Sequence, residues 1–190
     1  LGPQFRIQNA IKNSFIVSSA VTLGALLVTS LSAYTIARLR FKYKIESLIL
    51  IQLAGMVPPI VTIAPTFVLM RSMGLLQTLW GLIIPNIAYS IPIGTWLMAA
   101  YFAGLPTDLE DAAKVDGYPP FSTFWRVIIP LAAPGLFSVG VLAFLGSWGE
   151  FMLALTISLG LPSAQTVPVA ILTFSQRHEL QWAWVSAGIV

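Results

Sequence analysis

The chain has 190 residues, of which 57% are hydrophobic and only 9% are charged, and its mean hydropathy is +0.85. Soluble domains average roughly 45–50% apolar and about 25% charged residues, so this composition excludes an ordinary water-soluble domain and predicts an all-α, polytopic membrane protein. The formal net charge of +3 gives no indication of nucleic-acid binding, and a chain with no cysteine and a single histidine, His178, offers no thiolate or multi-histidine metal site.

Uncharged runs of roughly 18 or more residues are typical of membrane-spanning helices. The predicted spans cover residues 14–39, 45–63, 79–102, 131–155 and 182–190. The first ends in a basic cluster, Arg38, Arg40, Lys42 and Lys44, so the positive-inside rule places the next loop in the cytoplasm. Prolines after Met56 predict that the second run is a helix, a break and a short oblique helix. Because the chain opens without methionine and stops in an apolar run, we expect a fragment of a longer protein.

A polar loop, residues 104–130, separates the third span from the fourth and holds four of the seven acidic residues. Thr107 and Glu110 have the spacing of a capping box, in which each side chain satisfies a backbone amide at the start of a helix. Gly117 suits the left-handed position just after a helix end. Pro119 and Pro120 predict the start of a second helix. The loop is therefore expected to contain two short helices joined by a bend.

The second of these helices is predicted to be amphipathic. Its apolar residues recur at i, i+3, i+4 and i+7, on one face: Phe121, Phe124, Trp125 and Ile128. Pro130 is expected to end it. In the first helix, Ala112 and Ala113 would leave a flat surface that another protein could approach. The local pattern leaves two interpretations open, namely an interfacial hairpin that anchors the protein to the bilayer and a docking surface for a cytoplasmic partner.

The order of residues in this loop resembles a known motif. Asp111-Ala112-Ala113, then Gly117 after three intervening residues and Val127-x-Ile129-Pro130 after nine more, is similar to the EAA loop of binding-protein-dependent ABC importer permeases. Asp111, Val127 and Ile129 depart from that motif but keep its chemical character. The stretches "AYTIARLRFKYK", "MVPPIVTIAPTFVLMRSMGLLQTLWGLIIP" and "SWGEFMLAL" with "TVPVAI" also resemble carbohydrate permeases of the maltose type.

The resemblance implies an all-α transmembrane bundle of the ABC importer permease type, with a cytoplasmic coupling-helix loop, in a prokaryotic inner or plasma membrane. Since that family has six spans, the first and most of the last would lie outside this chain. The EAA loop of the family docks into a cleft of an ATP-hydrolysing subunit. The residues expected to couple the chain to that subunit are Glu110, Asp111, Ala112, Ala113, Asp116, Gly117, Phe121 and Pro130.

The partners implied by the resemblance are a second permease subunit in a heterodimer, an ABC ATPase dimer, an extracytoplasmic sugar-binding protein and the lipid bilayer. No cofactor is expected in this chain, because its sequence contains no GxxxxGK[ST] phosphate loop. Mg-ATP would be held by the ATPase, and the chain itself would not be an enzyme.

Two further sets of residues are candidates for the translocation path or for contact with a receptor. Glu150, beside Trp148, interrupts a long uncharged run, and an acid at a span is a functional candidate. The alternative is that Glu150 extends to the outer interface. Aromatic faces and neutral polar groups hold sugars, and the third span offers Asn86, Tyr89, Ser90 and Trp96. The alternative for Asn86 and Ser90 is helix–helix hydrogen bonding. The resemblance makes residues 158–181 a contact for the external receptor.

Three classes of function can be compared by how well each accounts for these features of the sequence. An importer permease accounts for the acidic loop, and its solute would be a carbohydrate or, alternatively, an amino acid or polyamine. A secondary transporter or channel would account for the proline-broken helices and for Glu150 but not for the loop. A membrane-embedded enzyme would need a cluster of titratable groups that the predicted spans do not offer.

Overall fold

In a computed structural model of the protein, the structure describes residues 3–158 and 164–177, and every regular element within them is helical. The helices are α1 (Pro3–Arg38), α2 (Lys44–Gly55), α3 (Pro59–Ser72), α4 (Trp80–Ala103), α5 (Asp108–Val115), α6 (Pro120–Thr123), α7 (Ile129–Leu131), α8 (Ala133–Trp148), α9 (Met152–Ser158) and α10 (Val167–Arg177). A π-helical segment, Phe124–Ile128, joins α6 to α7. The all-α prediction is confirmed.

Two helices are long and apolar enough to cross a membrane without interruption, α1 over Ile7–Arg38 and α4 over Trp80–Ala103. Two broken pairs, α2 with α3 and the segment Pro120–Leu131 with α8, pass the same test only if each pair is counted as one span. Within the described residues there are therefore between two and four candidate spans. The predicted fifth span, residues 182–190, lies outside the described residues.

The helix ends follow the prolines in one place and depart from the predicted bounds in two others. The break predicted after Met56 is present, because α3 begins at Pro59 as a first-turn proline and α2 ends at Gly55. The first helix begins at Pro3, well before residue 14. The run 131–155, predicted as one span, is α8 and α9 in the structure. The carboxylate of Glu150 accepts hydrogen bonds from the Leu153 and Ala154 amides (2.7 and 2.9 Å) and starts the second helix.

The helices pack into two units. The described part of the first unit comprises residues 3–22, 57–89, 143–158 and 164–177. Its core is apolar and includes Val17, Met70, Leu82, Ile157 and Val169. Buried polar groups add specificity to this packing: Asn13 Nδ2 donates to the Gln165 carbonyl (3.0 Å), and the Val167 amide donates to Ser14 Oγ (2.8 Å). The Ser14 hydroxyl thus pairs an amide that the first turn of α10 cannot satisfy itself.

The second unit comprises residues 23–56 and 90–142, and its core includes Ala33, Met98, Phe102, Phe124 and Ile128. A glycine permits a close approach between helices in this unit. A Cβ on Gly94 of α4 would lie 2.7 Å from Thr29 Cγ2 in α1 and 3.4 Å from Val139 Cγ1 in α8. Real Cβ atoms do not approach so closely, so the small residue sets the spacing between α1 and α4. This unit carries the polar loop described next.

Candidate functional site

The polar loop is built around α5 and a glycine turn. The chain leaves α5 through Gly117, whose φ is +81°. The Tyr118 amide donates to the Ala113 carbonyl (2.9 Å) and the Gly117 amide donates to the Lys114 carbonyl (3.0 Å). This pair of bonds is a Schellman motif, which needs a left-handed residue and so favours glycine. The left-handed position predicted for Gly117 is confirmed, and α6 begins at Pro120 as predicted.

The capping box predicted for Thr107 and Glu110 is wrong. Thr107 has helical angles (φ −70°, ψ −25°), and its side chain makes no capping hydrogen bond. The Glu110 carboxylate turns away from the start of α5 and lies beside Arg38, at the end of α1, with 3.4 Å between Glu110 Oε1 and Arg38 Nε. A guanidinium within reach attracts the carboxylate more strongly than a neutral amide does. Glu110 therefore connects α5 to another helix.

One face of α5 is exposed and the other is buried. The exposed face comprises Asp108, Asp111, Ala112 and Val115, which share one side of an α-helix. Val115 is 88% exposed, which is unusual for a valine. Ala113 is buried on the opposite side, so the prediction that both alanines form an open surface is wrong for Ala113. Val115, three residues after Ala112, lies on the exposed face instead, and its exposure was not predicted from the sequence.

A second ion pair on α5 lies in the solvent. Lys114 Nζ donates to Asp111 Oδ1 (2.8 Å), and the two side chains are 68% and 67% exposed. This hydrogen bond raises the pKa of the Lys114 ammonium, which stays protonated at neutral pH. Exposed i,i+3 pairs contribute little to folding stability because water screens them. The pair leaves Asp111 on an accessible, mixed-charge edge of the helix.

The helical run after the turn does not present one apolar face. Phe121 is 70% exposed and Trp125 is partly exposed, whereas Phe124 and Ile128 are buried. The π-helical segment Phe124–Ile128 causes this division, because its wider turns change the 3.6-residue register on which the prediction relied. Pro130 does not end the run either: it lies inside α7, and the chain bends by 78° only between Leu131 and Ala133.

Within the second unit, the ends of α1 and of the polar loop share aromatic packing. Tyr34 lies on Phe124 with ring centroids 4.9 Å apart, and on Phe102 at 6.0 Å. Both phenylalanines belong to the buried core of this unit. The π-helical segment is therefore held to α1 by its inward side chains while Phe121 remains outside.

The residues proposed for the translocation path lie in different settings. In the first unit, the Tyr89 hydroxyl lies 3.0 Å from Thr62 Oγ1 and 3.2 Å from Thr66 Oγ1, so three hydroxyls meet between α3 and α4. Asn86 is buried and donates to the Leu82 carbonyl of its own helix (2.9 Å). Of the two residues in the second unit, Ser90 is half-buried and Trp96 is exposed.

The acid at residue 150 is engaged with the backbone. Both Glu150 oxygens accept amide hydrogen bonds from α9, and the side chain is half-buried. Trp148 stacks on Phe144, with ring centroids 5.7 Å apart and planes inclined by 20°. Glu150 thus fixes the turn between α8 and α9, and its neighbour Trp148 packs against its own helix. Of the receptor contact predicted at 158–181, residues 158 and 164–177 are described, and the rest lie outside the described residues.

The chain is similar in sequence to membrane proteins of known transport systems. The family described as "Binding-protein-dependent transport system inner membrane component" matches residues 25–190. The chain is 36% identical to the sulfoquinovosyl glycerol transport system permease protein SmoH of Agrobacterium fabrum, over 94% of this chain and 62% of that protein. It is 35% identical to the trehalose/maltose transport system permease protein MalG of Thermococcus litoralis, over 99% of this chain and 68% of that protein. It is 36% identical to the trehalose transport system permease protein SugB of Mycobacterium tuberculosis, over 96% of this chain and 67% of that protein.

The fold has a solved counterpart. A chain in the crystal structure of a bacterial ABC transporter involved in the import of the acidic polysaccharide alginate superimposes with a TM-score of 0.76, at 22% identity, over 96% of this chain and 63% of that one. The fold is that of an all-helical protein with helices long and apolar enough to cross a membrane. The chain belongs to the family of binding-protein-dependent transport system inner membrane components. It spans 62% of the length of the Agrobacterium relative.

Proposed function

We propose that this chain is part of a multi-pass permease subunit of an ATP-driven importer, and that α5 couples it to a separate ATPase. The observation that supports this most is the exposed face of α5, where the apolar Val115 lies on the same side of the helix as Asp108 and Asp111. An apolar side chain on a polar helix gains free energy only when a partner removes it from water. Asp108 and Asp111 favour a partner with a basic rim.

The turn after α5 suits this role. The Schellman motif at Gly117 fixes the direction in which the chain leaves α5. Two apolar side chains, Val115 on α5 and Phe121 on α6, are therefore exposed on either side of a rigid bend. A partner cleft could receive them without first ordering a flexible segment, and preorganisation of this kind lowers the entropic cost of binding. The partner would be an ABC ATPase dimer, which would hold the Mg-ATP.

The solute is proposed to be a carbohydrate, because three relatives carry sugar or sugar-derivative transport in their names. The hydroxyls of Tyr89, Thr62 and Thr66 offer neutral hydrogen-bonding groups beside an aromatic ring, the chemistry that sugar sites use. A second permease subunit and an extracytoplasmic sugar-binding protein would complete the system. An amino acid or a polyamine is the alternative solute.

Substitution at Val115 tests the coupling role. We expect Val115→Glu to lower solute transport by the intact complex at least tenfold, because the added carboxylate would be buried in the docked cleft; tenfold corresponds to about 1.4 kcal/mol of docking free energy. Val115→Leu is the matched control and should transport like the wild type, since it keeps an apolar side chain. Transport at the wild-type rate by Val115→Glu, in a complex of normal abundance, would exclude a docking role for this face.

The solute is identified by ATPase stimulation. The intact complex in lipid, with its binding protein, is assayed with trehalose, maltose, an amino acid and a polyamine in turn. Stimulation by a sugar that requires the binding protein supports the carbohydrate assignment. Stimulation by the amino acid or the polyamine alone would overturn that assignment and leave the importer proposal intact.

A further inference from the structure

The second unit contains an ion pair that links helices far apart in sequence. Arg38 Nε lies 3.4 Å from Glu110 Oε1, and the two side chains are only 6% and 16% exposed. The other ion pair on α5, between Lys114 and Asp111, is local and exposed, so it cannot connect α5 to anything else. The Arg38–Glu110 pair therefore carries the only direct charge contact between α1 and α5 among the described residues.

Arg38 is held from a second direction. Its Nη2 donates to the Leu105 carbonyl at 2.6 Å, and Leu105 lies in the connection between α4 and α5. One guanidinium at the end of α1 thus contacts both the chain that leads into α5 and the helix itself.

The hydrogen-bond geometry between Arg38 and Glu110 is poor in this conformation. Within the described part of the chain, neither Arg38 Nε nor Glu110 Oε1 has a hydrogen-bond partner, although both atoms are buried. A charged N–H···O bond is usually about 2.7–2.9 Å long, and these two atoms lie 3.4 Å apart without forming one. Buried ion pairs contribute little net stability, because desolvation offsets their attraction, but they are demanding in geometry. A role in position accounts for this pair better than a role in stability does.

We propose that Arg38 and Glu110 are positioning residues that make α5 and α1 move together, so that displacement of the docked α5 reaches the membrane-length helix α1. This inference rests on the proposed function, since it requires α5 to be the element that the ATPase moves. The guanidinium transmits the displacement through Glu110 in α5 and through the Leu105 carbonyl.

The test separates coupling from folding. Glu110→Gln keeps the size of the side chain and removes its charge, and Arg38→Glu reverses the other partner. Arg40→Gln is the matched control, because Arg40 is exposed and lies two residues from Arg38, and the substitution removes its charge without reversing it. Each variant is made in the intact complex in lipid. Solute transport, ATP hydrolysis with and without the binding protein, and thermal stability are measured on equal amounts of assembled complex.

We expect Glu110→Gln to lower the number of solute molecules moved per ATP hydrolysed at least fivefold, because it removes the charge that faces Arg38. Arg40→Gln should keep the wild-type ratio. The double variant Arg38→Glu with Glu110→Arg should regain at least half of the ratio that Arg38→Glu loses, because the opposite charges are restored. Should Arg38→Glu fail to assemble, Arg38→Lys replaces it and is expected to retain an intermediate ratio.

An unchanged ratio in Glu110→Gln would overturn the inference. So would a loss of transport that only parallels a loss of assembled complex or thermal stability, because that result describes a structural pair. If Val115→Glu abolishes transport while Glu110→Gln does not, the proposed function stands and the inference falls. If neither variant changes transport, both fall.

Discussion

A single methyl group at Gly94 is expected to disturb the contact between α1 and α4. The Cβ that Gly94→Ala adds would lie 2.7 Å from Thr29 Cγ2 and 3.3 Å from Thr29 Cβ. Thr29 cannot easily turn away, because it is fully buried and its Oγ1 donates to the Ala25 carbonyl at 2.7 Å. Threonine is also stiff about χ1 in a helix. Gly94→Ala must therefore push the helices apart or break that hydrogen bond.

The net cost follows from two opposing terms. Overpacking of a filled core typically costs about 1–3 kcal/mol of unfolding free energy. Replacing a mid-helix glycine by alanine returns roughly 0.5–1 kcal/mol, since alanine loses less backbone entropy. The atoms that obstruct the new methyl group belong to the fixed Thr29 side chain. We therefore expect the cost of overpacking to exceed the gain in backbone entropy, so that the unfolding free energy of the variant is lower by about 1–2 kcal/mol. This corresponds to a Tm lower by roughly 2–8 °C for a chain of this size.

Thermal unfolding of the purified intact protein in detergent measures this loss. Gly146→Ala, in α8, is the control, because among the described residues nothing lies within 4 Å of its added Cβ. Thr29→Ser removes the obstructing Cγ2 and keeps the hydroxyl, so in that background Gly94→Ala should cost about 1 kcal/mol less. A Tm for Gly94→Ala equal to that of Gly146→Ala, or the same cost in both backgrounds, would refute the reasoning.

Two further substitutions test local geometry by the same thermal assay. Gly117→Ala should lower the unfolding free energy by about 1 kcal/mol through backbone strain alone, since φ is +81° and no described atom lies within 4 Å of an added Cβ. Gly117→Asn should lower it by less. Equal losses for the two variants would contradict the left-handed conformation of residue 117. Ser14→Ala should cost about 1–3 kcal/mol because it removes the acceptor of the Val167 amide in a buried site, whereas Ser138→Ala, at an exposed hydroxyl, should leave the Tm unchanged. An unaltered Tm in Ser14→Ala would show that another group satisfies that amide.

Three signals that act through the backbone were predicted correctly from the sequence, whereas the helix end predicted at Pro130 was wrong. The break after Met56, the left-handed Gly117 and the start of α6 at Pro120 all follow from what proline and glycine do to φ and to backbone donors. These constraints need no knowledge of the neighbouring helices. The third predicted span, 79–102, also agrees closely with α4, Trp80–Ala103, because a long uninterrupted apolar run leaves little room for error.

Signals that depend on distant neighbours were not predictable. The spacing of Thr107 and Glu110 fits a capping box, but the position of Arg38 in space decides where the Glu110 carboxylate goes. Likewise, only the packing around α5 shows that Ala113 faces inward while Val115 faces out. The π-helical segment moves the aromatic residues out of the register that a 3.6-residue period assumes.

In the predicted orientation, with the end of α1 in the cytoplasm, Arg38 has two roles that are separated in time. Topology is set during synthesis, when basic residues that flank a nascent span hold it on the cytoplasmic side. At about 5–20 residues per second, the ribosome adds Glu110 roughly 4–14 s after Arg38, so the guanidinium is still unpaired while α1 is being oriented. Once α5 folds, that charge is neutralised by Glu110. On that prediction, the mature protein keeps its orientation although the charge of Arg38 is paired, while Arg40 and Lys42 remain exposed.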